Sequence, residues 1–76
     1  MFRKLTELNC GDKAIIRSFE NQELLIKLME MGCIPGEIIT IEQMAPFKDP
    51  ISVMVAGYIL SLRKDEAETI IVEEIK

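Results

Sequence analysis

Histidine and tryptophan are absent from this 76-residue sequence, and cysteine occurs only twice. Without histidine, no serine, threonine or cysteine side chain has the base that most often activates a nucleophile. The sequence also has no glycine-rich phosphate loop, because its glycines are isolated and predicted turns account for Gly32, Gly36 and Gly57. We therefore expect a protein that is not an enzyme, has no catalytic residues and uses no cofactor.

The scarcity of cysteine also argues against a metal site. Cys10 and Cys33 lie far apart in the sequence, so a tetrahedral zinc site would need carboxylates to complete it. Ferrous iron accepts carboxylates such as Asp12, Asp49 or Asp65, but these residues form no tight cluster along the chain. We expect no metal ligands and two reduced cysteines, as is usual in the cytosol.

Positive charge and long apolar runs are scarce as well. The chain has 9 basic and 13 acidic residues and a net charge of -4, whereas nucleic-acid-binding proteins usually show the opposite balance. Its apolar runs are a few residues long, and a helix that spans a bilayer needs about 20. No signal peptide is visible at the N terminus. The length and the hydrophobic fraction of 49% predict one domain over residues 1–76. The charge balance predicts no nucleic-acid partner, and the short apolar runs predict no direct membrane insertion.

Segments with β-forming residues alternate with turn signals along the chain. We predict strands at 13–19, 37–45, 51–55, 58–63 and 69–75. One amphipathic helix follows the first of these strands, because Asn21 is a suitable N-cap and Gly32 suits the left-handed position after the last turn. Residues 64–68 suit a single helical turn. The pattern predicts a mainly β fold, a small five-stranded barrel that is closed or nearly closed and crossed by one helix.

Four sequence elements resemble the FeoA-type domain family. The segment LMEMGCIPG at 28–36 is similar to its L-x-x-[ML]-G-[ML]-x-P-G pattern, and APFKDPI at 45–51 is similar to A-P-x-x-D-P-I. The segment LRKDEA at 62–67 resembles L-R-x-x-E-A before a final I-x-V strand, and LNCGD at 8–12 resembles the opening L-x-x-G-[ED]. The elements follow the family's order and cover nearly the whole chain.

The resemblance implies an SH3-like barrel in a cytoplasmic protein of ferrous iron uptake. Its implied partner is FeoB, an inner-membrane transporter with a cytosolic G-protein domain, so the chain would lie at the inner face of the membrane. The implied function is that of an accessory protein that regulates FeoB through protein–protein contacts. Two alternatives stay open, a detached regulatory domain acting on an iron-dependent repressor and a direct ferrous iron chaperone that binds the transition metal ion. A weak homodimer also stays open.

Two elements are predicted to contact the partner. On the helix, the predicted contact residues are Leu25 and Met29, since apolar residues cover more than half of the helix circumference. The methionines could instead fill a core that contains few aromatic residues. On the loop at 46–50, the predicted contact residues are Phe47 and Lys48. The prolines at both ends of this loop could make it a rigid platform for binding, or they could simply stiffen a hairpin.

The charged residues near the C-terminal end are predicted to be solvated. Arg63 and Lys64 are expected to form surface ion pairs with Glu66 or Glu68. The acidic residues at 66, 68, 73 and 74 are interpreted as one solvated face.

Overall fold

Strands dominate the computed structural model, which describes residues 1–75. The strands are β1 (Phe2–Lys4), β2 (Lys13–Phe19), β3 (Ile38–Met44), β4 (Ile51–Val55), β5 (Tyr58–Leu62) and β6 (Ile70–Ile75). The α-helices are α1 (Gln22–Glu30) and α2 (Lys64–Ala67), and single 3-10 turns occupy Leu5–Glu7 and Pro46–Lys48. No helix in this part of the chain is long and apolar enough to cross a bilayer. The prediction of a mainly β fold is confirmed.

All neighbouring strands are antiparallel, in the order β1-β6-β2-β3-β4-β5. The prediction of five strands was wrong, because β1 adds a sixth that pairs with β6 from Phe2 to Lys4. Three exposed residues carry no alternation of apolar and polar side chains, so no periodicity signals this strand. The predicted closure was also wrong, since β1 and β5 are the two edges of an open order. Consequently, α1 follows the second strand rather than the first.

The core consists almost entirely of aliphatic side chains. Register shifts between Ile16 and Ser18 in β2 and between Ile41 and Gln43 in β3 mark bulges, which bend strands. From α1, only Leu28 is fully buried. Phe19 of β2 is buried at 8% exposure, and the strand residues that are at most 1% exposed are Ala14, Ile16, Ile39, Ile41, Ile51, Val53, Val55, Leu62, Ile70 and Val72.

The segment between β1 and β2 contributes two leucines to this core. Leu5 and Leu8 are fully buried. The 3-10 turn that begins at Leu5 is fixed by a hydrogen bond in which the Lys4 backbone N–H donates to Oε1 of Glu7 over 2.7 Å. The following turn is fixed by the Asn9 N–H, which donates to Oδ2 of Asp12 over 2.8 Å. Two short-range hydrogen bonds thus fix the segment that carries these two leucines.

Capping and turn residues set the boundaries of α1 and of the β4–β5 hairpin. Asn21 caps α1 as predicted, since its Oδ1 accepts from the N–H of Glu23 over 2.8 Å. Gly32 follows the helix with φ of 105°, in agreement with its predicted position. The hairpin turns through Ala56 and Gly57, whose φ values of 53° and 84° have the sign that a type I′ turn requires at both positions.

Candidate functional site

A groove runs between the last turn of α1 and the loop that precedes β4. The helix contributes Lys27 and, just beyond its end, Met31, whereas the loop contributes Asp49 and Pro50. Glu66 of α2 also lines the groove. The fold thus brings together the helix and the proline loop, the two elements that the sequence singled out for binding. The complete lining is Lys27, Met31, Asp49, Pro50, Ser61, Arg63 and Glu66.

A buried carboxylate organises the groove. Glu66 is only 6% exposed, so the prediction that it belongs to a solvated face was wrong. Its Oε2 accepts from Nζ of Lys27 over 2.6 Å, and its Oε1 accepts from the backbone N–H of Arg63 over 2.9 Å. The hydrogen bond from Lys27, and secondly the one from the Arg63 backbone, hold the pKa of this carboxyl below its ordinary value of 4.5. Glu66 is therefore a carboxylate that joins α2 to α1 at neutral pH.

The predicted surface ion pairs of Arg63 and Lys64 do not form. Among the described residues, the ion pairs are those of Lys27 with Glu66, Arg17 with Glu73 and Arg3 with Glu74. Arg63 contributes its backbone N–H to Glu66 instead. The spacing Arg63-x-x-Glu66, in which the third helical residue is glutamate, is the local signal that could have revealed this cap. Lys27, 39 positions away in the sequence, has no such local signal.

The proline loop holds its tip in a conformation that side chains rarely adopt. Phe47 and Lys48 have positive φ values of 62° and 60°, which disfavour any residue with a Cβ by about 1–2 kcal/mol. Hydrogen bonds hold this geometry: the Lys48 N–H donates to the Ala45 carbonyl over 2.9 Å, and the Ala45 N–H donates to the Pro50 carbonyl over 3.1 Å. Nζ of Lys48 also donates to the Thr6 carbonyl over 2.6 Å.

These contacts leave the two predicted loop residues in different roles. The side chain of Phe47 is 91% exposed, so it is presented to solvent with no compensating burial. Lys48 is half-buried, and its ammonium ties the loop to the segment between β1 and β2. Phe47 is thus available for a contact, and Lys48 positions it.

The outer face of α1 carries a second exposed apolar group. Met29, a predicted contact, is 39% exposed, and Ile26, which was not singled out, is 67% exposed. Leu25, the other predicted contact, is half-buried and packs against the core. Met31 and Met44 also pack against the core, and Met54 is 38% exposed. The methionines are therefore divided between the core and the surface.

The two cysteines are free and lie in different environments. Cys10 is exposed, whereas Cys33 is buried. Burial, together with the charge of Glu66, raises the pKa of the Cys33 thiol to about 11. Within residues 1–75, no group of three or more cysteine, aspartate or glutamate side chains is arranged to hold a metal ion. A thiol that stays protonated at neutral pH is a poor nucleophile and a poor ligand.

Comparison with known proteins places the chain among FeoA domains. The FeoA domain family matches residues 3–74. A fusion of Fe(2+) transport protein A and the Fe(2+) transporter FeoB from Porphyromonas gingivalis is 40% identical over 73 residues, which covers 95% of this chain. The chain spans only 9% of the length of that fusion protein.

Solved structures agree with this placement. A FeoA-like protein from Clostridium acetobutylicum is 37% identical, with a TM-score of 0.90 over 99% of this chain and 88% of that one. FeoA of Stenotrophomonas maltophilia in complex with zinc, described as a prokaryotic SH3 domain protein, is 26% identical, with a TM-score of 0.80 over 93% and 89% of the two chains. The predicted SH3-like character is thereby confirmed.

A likeness to a manganese-dependent transcriptional repressor extends to the fold alone. That protein is 18% identical, with a TM-score of 0.87 over 97% of this chain and 42% of that one. The match over residues 3–74 and the 40% identity of the fusion relative settle the family. This chain belongs to the FeoA family, which is associated with ferrous iron transport.

Proposed function

We propose that this chain binds the cytosolic part of a FeoB-type ferrous iron transporter and regulates it through protein–protein contacts. The observation that carries the proposal is the relative in which a FeoA segment and FeoB form one polypeptide. Linking two modules keeps them at a high effective concentration and favours even a weak contact between them. A separate chain of the same family would make that contact by docking at the cytoplasmic face of the membrane.

The proposed docking surface, which we call the α1–loop surface, consists of Ile26, Met29 and Phe47. These side chains are 67%, 39% and 91% exposed, and they project from the two elements that border the groove. Full burial of a phenylalanine side chain contributes about 1.5–3 kcal/mol to association. Because the loop already holds Phe47 in place, little further ordering is required on binding.

The two remaining predicted residues support this surface indirectly. Leu25 packs on the core and fixes the rotation of α1, which determines where Met29 points. Lys48 fixes the loop through Thr6. These residues are suited to binding, since exposed apolar side chains provide contact area.

The proposal is tested by NMR titration of the isotope-labelled chain with the cytosolic region of FeoB, with and without guanine nucleotide. We expect chemical-shift changes confined to α1 and residues 46–50. Phe47→Ser should weaken binding by about tenfold or more, because each 1.4 kcal/mol changes affinity about tenfold. The matched control is Phe2→Ser on β1, where the phenylalanine is also exposed, at 63%. This control should bind like the wild type.

The proposal fails if no contact is detected in either nucleotide state, or if both serine variants lose the same affinity. The same chain can be titrated with an iron-dependent repressor and, under anaerobic conditions, with Fe(II). Binding to the repressor alone would favour the detached regulatory domain. A saturable Fe(II) site without contact to FeoB would favour the chaperone.

A further inference from the structure

The two edges of the sheet are protected to different degrees. On β1, Arg3 and Lys4 place positive charge on the edge, and Arg3 pairs with Glu74 over 3.6 Å. Charged side chains on an edge strand disfavour pairing with another strand. The opposite edge, β5, runs Tyr58-Ile59-Leu60-Ser61-Leu62 and has no charge, proline or bulge. Of the two edges in residues 1–75, β5 is therefore the one less protected against strand pairing.

The geometry of the β4–β5 hairpin identifies the free backbone groups. A two-residue turn joins Val55 to Tyr58, and these flanking residues form a hydrogen-bonded pair. Because such pairs alternate along an antiparallel ladder, Leu60 and Leu62 also bond to β4. The N–H and C=O groups of Ile59 and Ser61 therefore point away from the sheet. Within residues 1–75 these groups make no backbone hydrogen bond outside the ladder.

We propose that β5 pairs antiparallel with β5 of a second copy of this chain, around a twofold axis at Leu60. This register places Ile59 opposite Ser61 of the second copy, and Ser61 opposite its Ile59. All four outward groups of each strand are then matched, which gives four new hydrogen bonds. Tyr58 lies opposite Leu62 of the second copy. The contact covers Ile59 and Tyr58, which are 63% and 71% exposed in the single chain.

Charge and symmetry favour a second copy over another strand. Each chain has a net charge of -4, but the paired strands are uncharged, so no like charges meet at the contact. The twofold arrangement uses identical surfaces and closes at two chains. Pairing through β1 would bring Arg3 and Lys4 close to their own copies.

The contact area sets the strength of this dimer. A strand pair of five residues from each chain buries much less surface than the roughly 800 Å² that each partner buries in a stable interface. The dimer is accordingly weak. It forms in concentrated solution and dissociates to monomers on dilution. This inference concerns a different surface from the α1–loop surface and does not depend on binding to FeoB.

Sedimentation equilibrium over a wide range of concentrations tests the pairing through Ser61→Pro and its control Ser61→Ala. Proline removes the outward N–H of residue 61 and leaves the bonds to β4 intact, as is tolerated on edge strands. By symmetry it removes two of the four new bonds, so the dimer should weaken about tenfold or more. Alanine removes the same hydroxyl but retains the N–H, and should dimerise like the wild type.

A second variant guards against a folding defect in the proline variant. Ile59→Glu retains every backbone group and places two carboxylates diagonally across the twofold axis, roughly 7–8 Å apart. It should also weaken the dimer, and both variants should keep the wild-type circular dichroism spectrum. A wild-type chain that stays monomeric at the highest concentration overturns the proposal. So do species larger than a dimer, or dimerisation of Ile59→Glu at wild-type strength.

Discussion

Replacing Lys27 by methionine tests whether the ion pair with Glu66 stabilises the fold. The change removes the ammonium that donates to Oε2 of Glu66 over 2.6 Å and retains an apolar stem of similar length. Glu66, which is 6% exposed in the wild type, keeps the N–H of Arg63 as its remaining donor. A buried charge that loses one partner is destabilising, because it has already lost most of its hydration.

The magnitude follows from the unequal exposure of the two partners. The side chain of Lys27 is 60% exposed and that of Glu66 is 8% exposed, so water screens part of the attraction. A hydrogen bond to a charged group contributes about 1.5–3 kcal/mol, and screening reduces the expected loss to about 1–2 kcal/mol. In a domain of this size each 1 kcal/mol lowers the melting temperature by about 4–8 °C.

The dependence on pH distinguishes this ion pair from a simple loss of packing. The folded state lowers the pKa of Glu66 below its ordinary value of 4.5. The stabilisation is therefore complete above that ordinary value and is lost as the pH falls through the lower folded value. In Lys27→Met the main cause of the lowered pKa is absent. The difference in unfolding free energy between wild type and variant should be largest at neutral pH and should narrow in acid.

Urea unfolding followed by circular dichroism measures this difference at neutral and acid pH. The control is Lys64→Met, which removes the same charge from an exposed side chain that forms no ion pair among the described residues. We expect the control to lie within about 0.5 kcal/mol of the wild type. Equal losses in the two variants at neutral pH, or a Lys27→Met loss that is unchanged in acid, would refute the reasoning.

Three further predictions concern the N-terminal segment, the hairpin and the thiols. Leu8→Ala should lower the unfolding free energy by about 2–5 kcal/mol in urea titrations, because Leu8 is 0% exposed; a loss below 1 kcal/mol or so would show that the segment is not part of the core. Ala56→Asn should raise the melting temperature, because Ala56 has φ of 53° and asparagine tolerates that region; a lower melting temperature would contradict it. With a thiol reagent the folded chain should react at Cys10 alone, and at Cys33 only after denaturant is added, since Cys33 is buried with a pKa of about 11; rapid labelling of both would contradict it.

The strands that form the middle of the sheet could be predicted from local pattern. The β-branched run from Ile38 to Ile41 and the apolar alternation from Ile51 to Val55 match a half-buried sheet. The turn at Ala56 and the cap at Asn21 also have local causes. Such features depend on neighbouring residues, so a single sequence is sufficient to reveal them.

The features that were missed depend on distant contacts. Strand β1 forms because β6 offers a partner, with Arg3 opposite Val72, and its own three residues have no strand pattern. Glu66 looks like one of several surface acids until the fold brings Lys27 to it. Likewise, nothing around Lys48 in the sequence indicates that its ammonium binds the Thr6 carbonyl.

The two proposed surfaces approach each other at Ser61. This residue lies on the outer edge of β5 and also lines the groove beside α1. A second copy seated on β5 would therefore stand next to Lys27 and Met31, which line the same groove. We expect docking of FeoB to the α1–loop surface and dimerisation to compete.

Sedimentation of the chain at concentrations that populate the dimer, with increasing amounts of the cytosolic region of FeoB, measures this competition. The dimer should decline as a complex with one chain per transporter region appears. Ile59→Glu should bind FeoB at least as tightly as the wild type, because its dimer is weakened and residue 59 does not line the groove. A complex that contains the intact dimer would show that the second copy leaves the groove accessible.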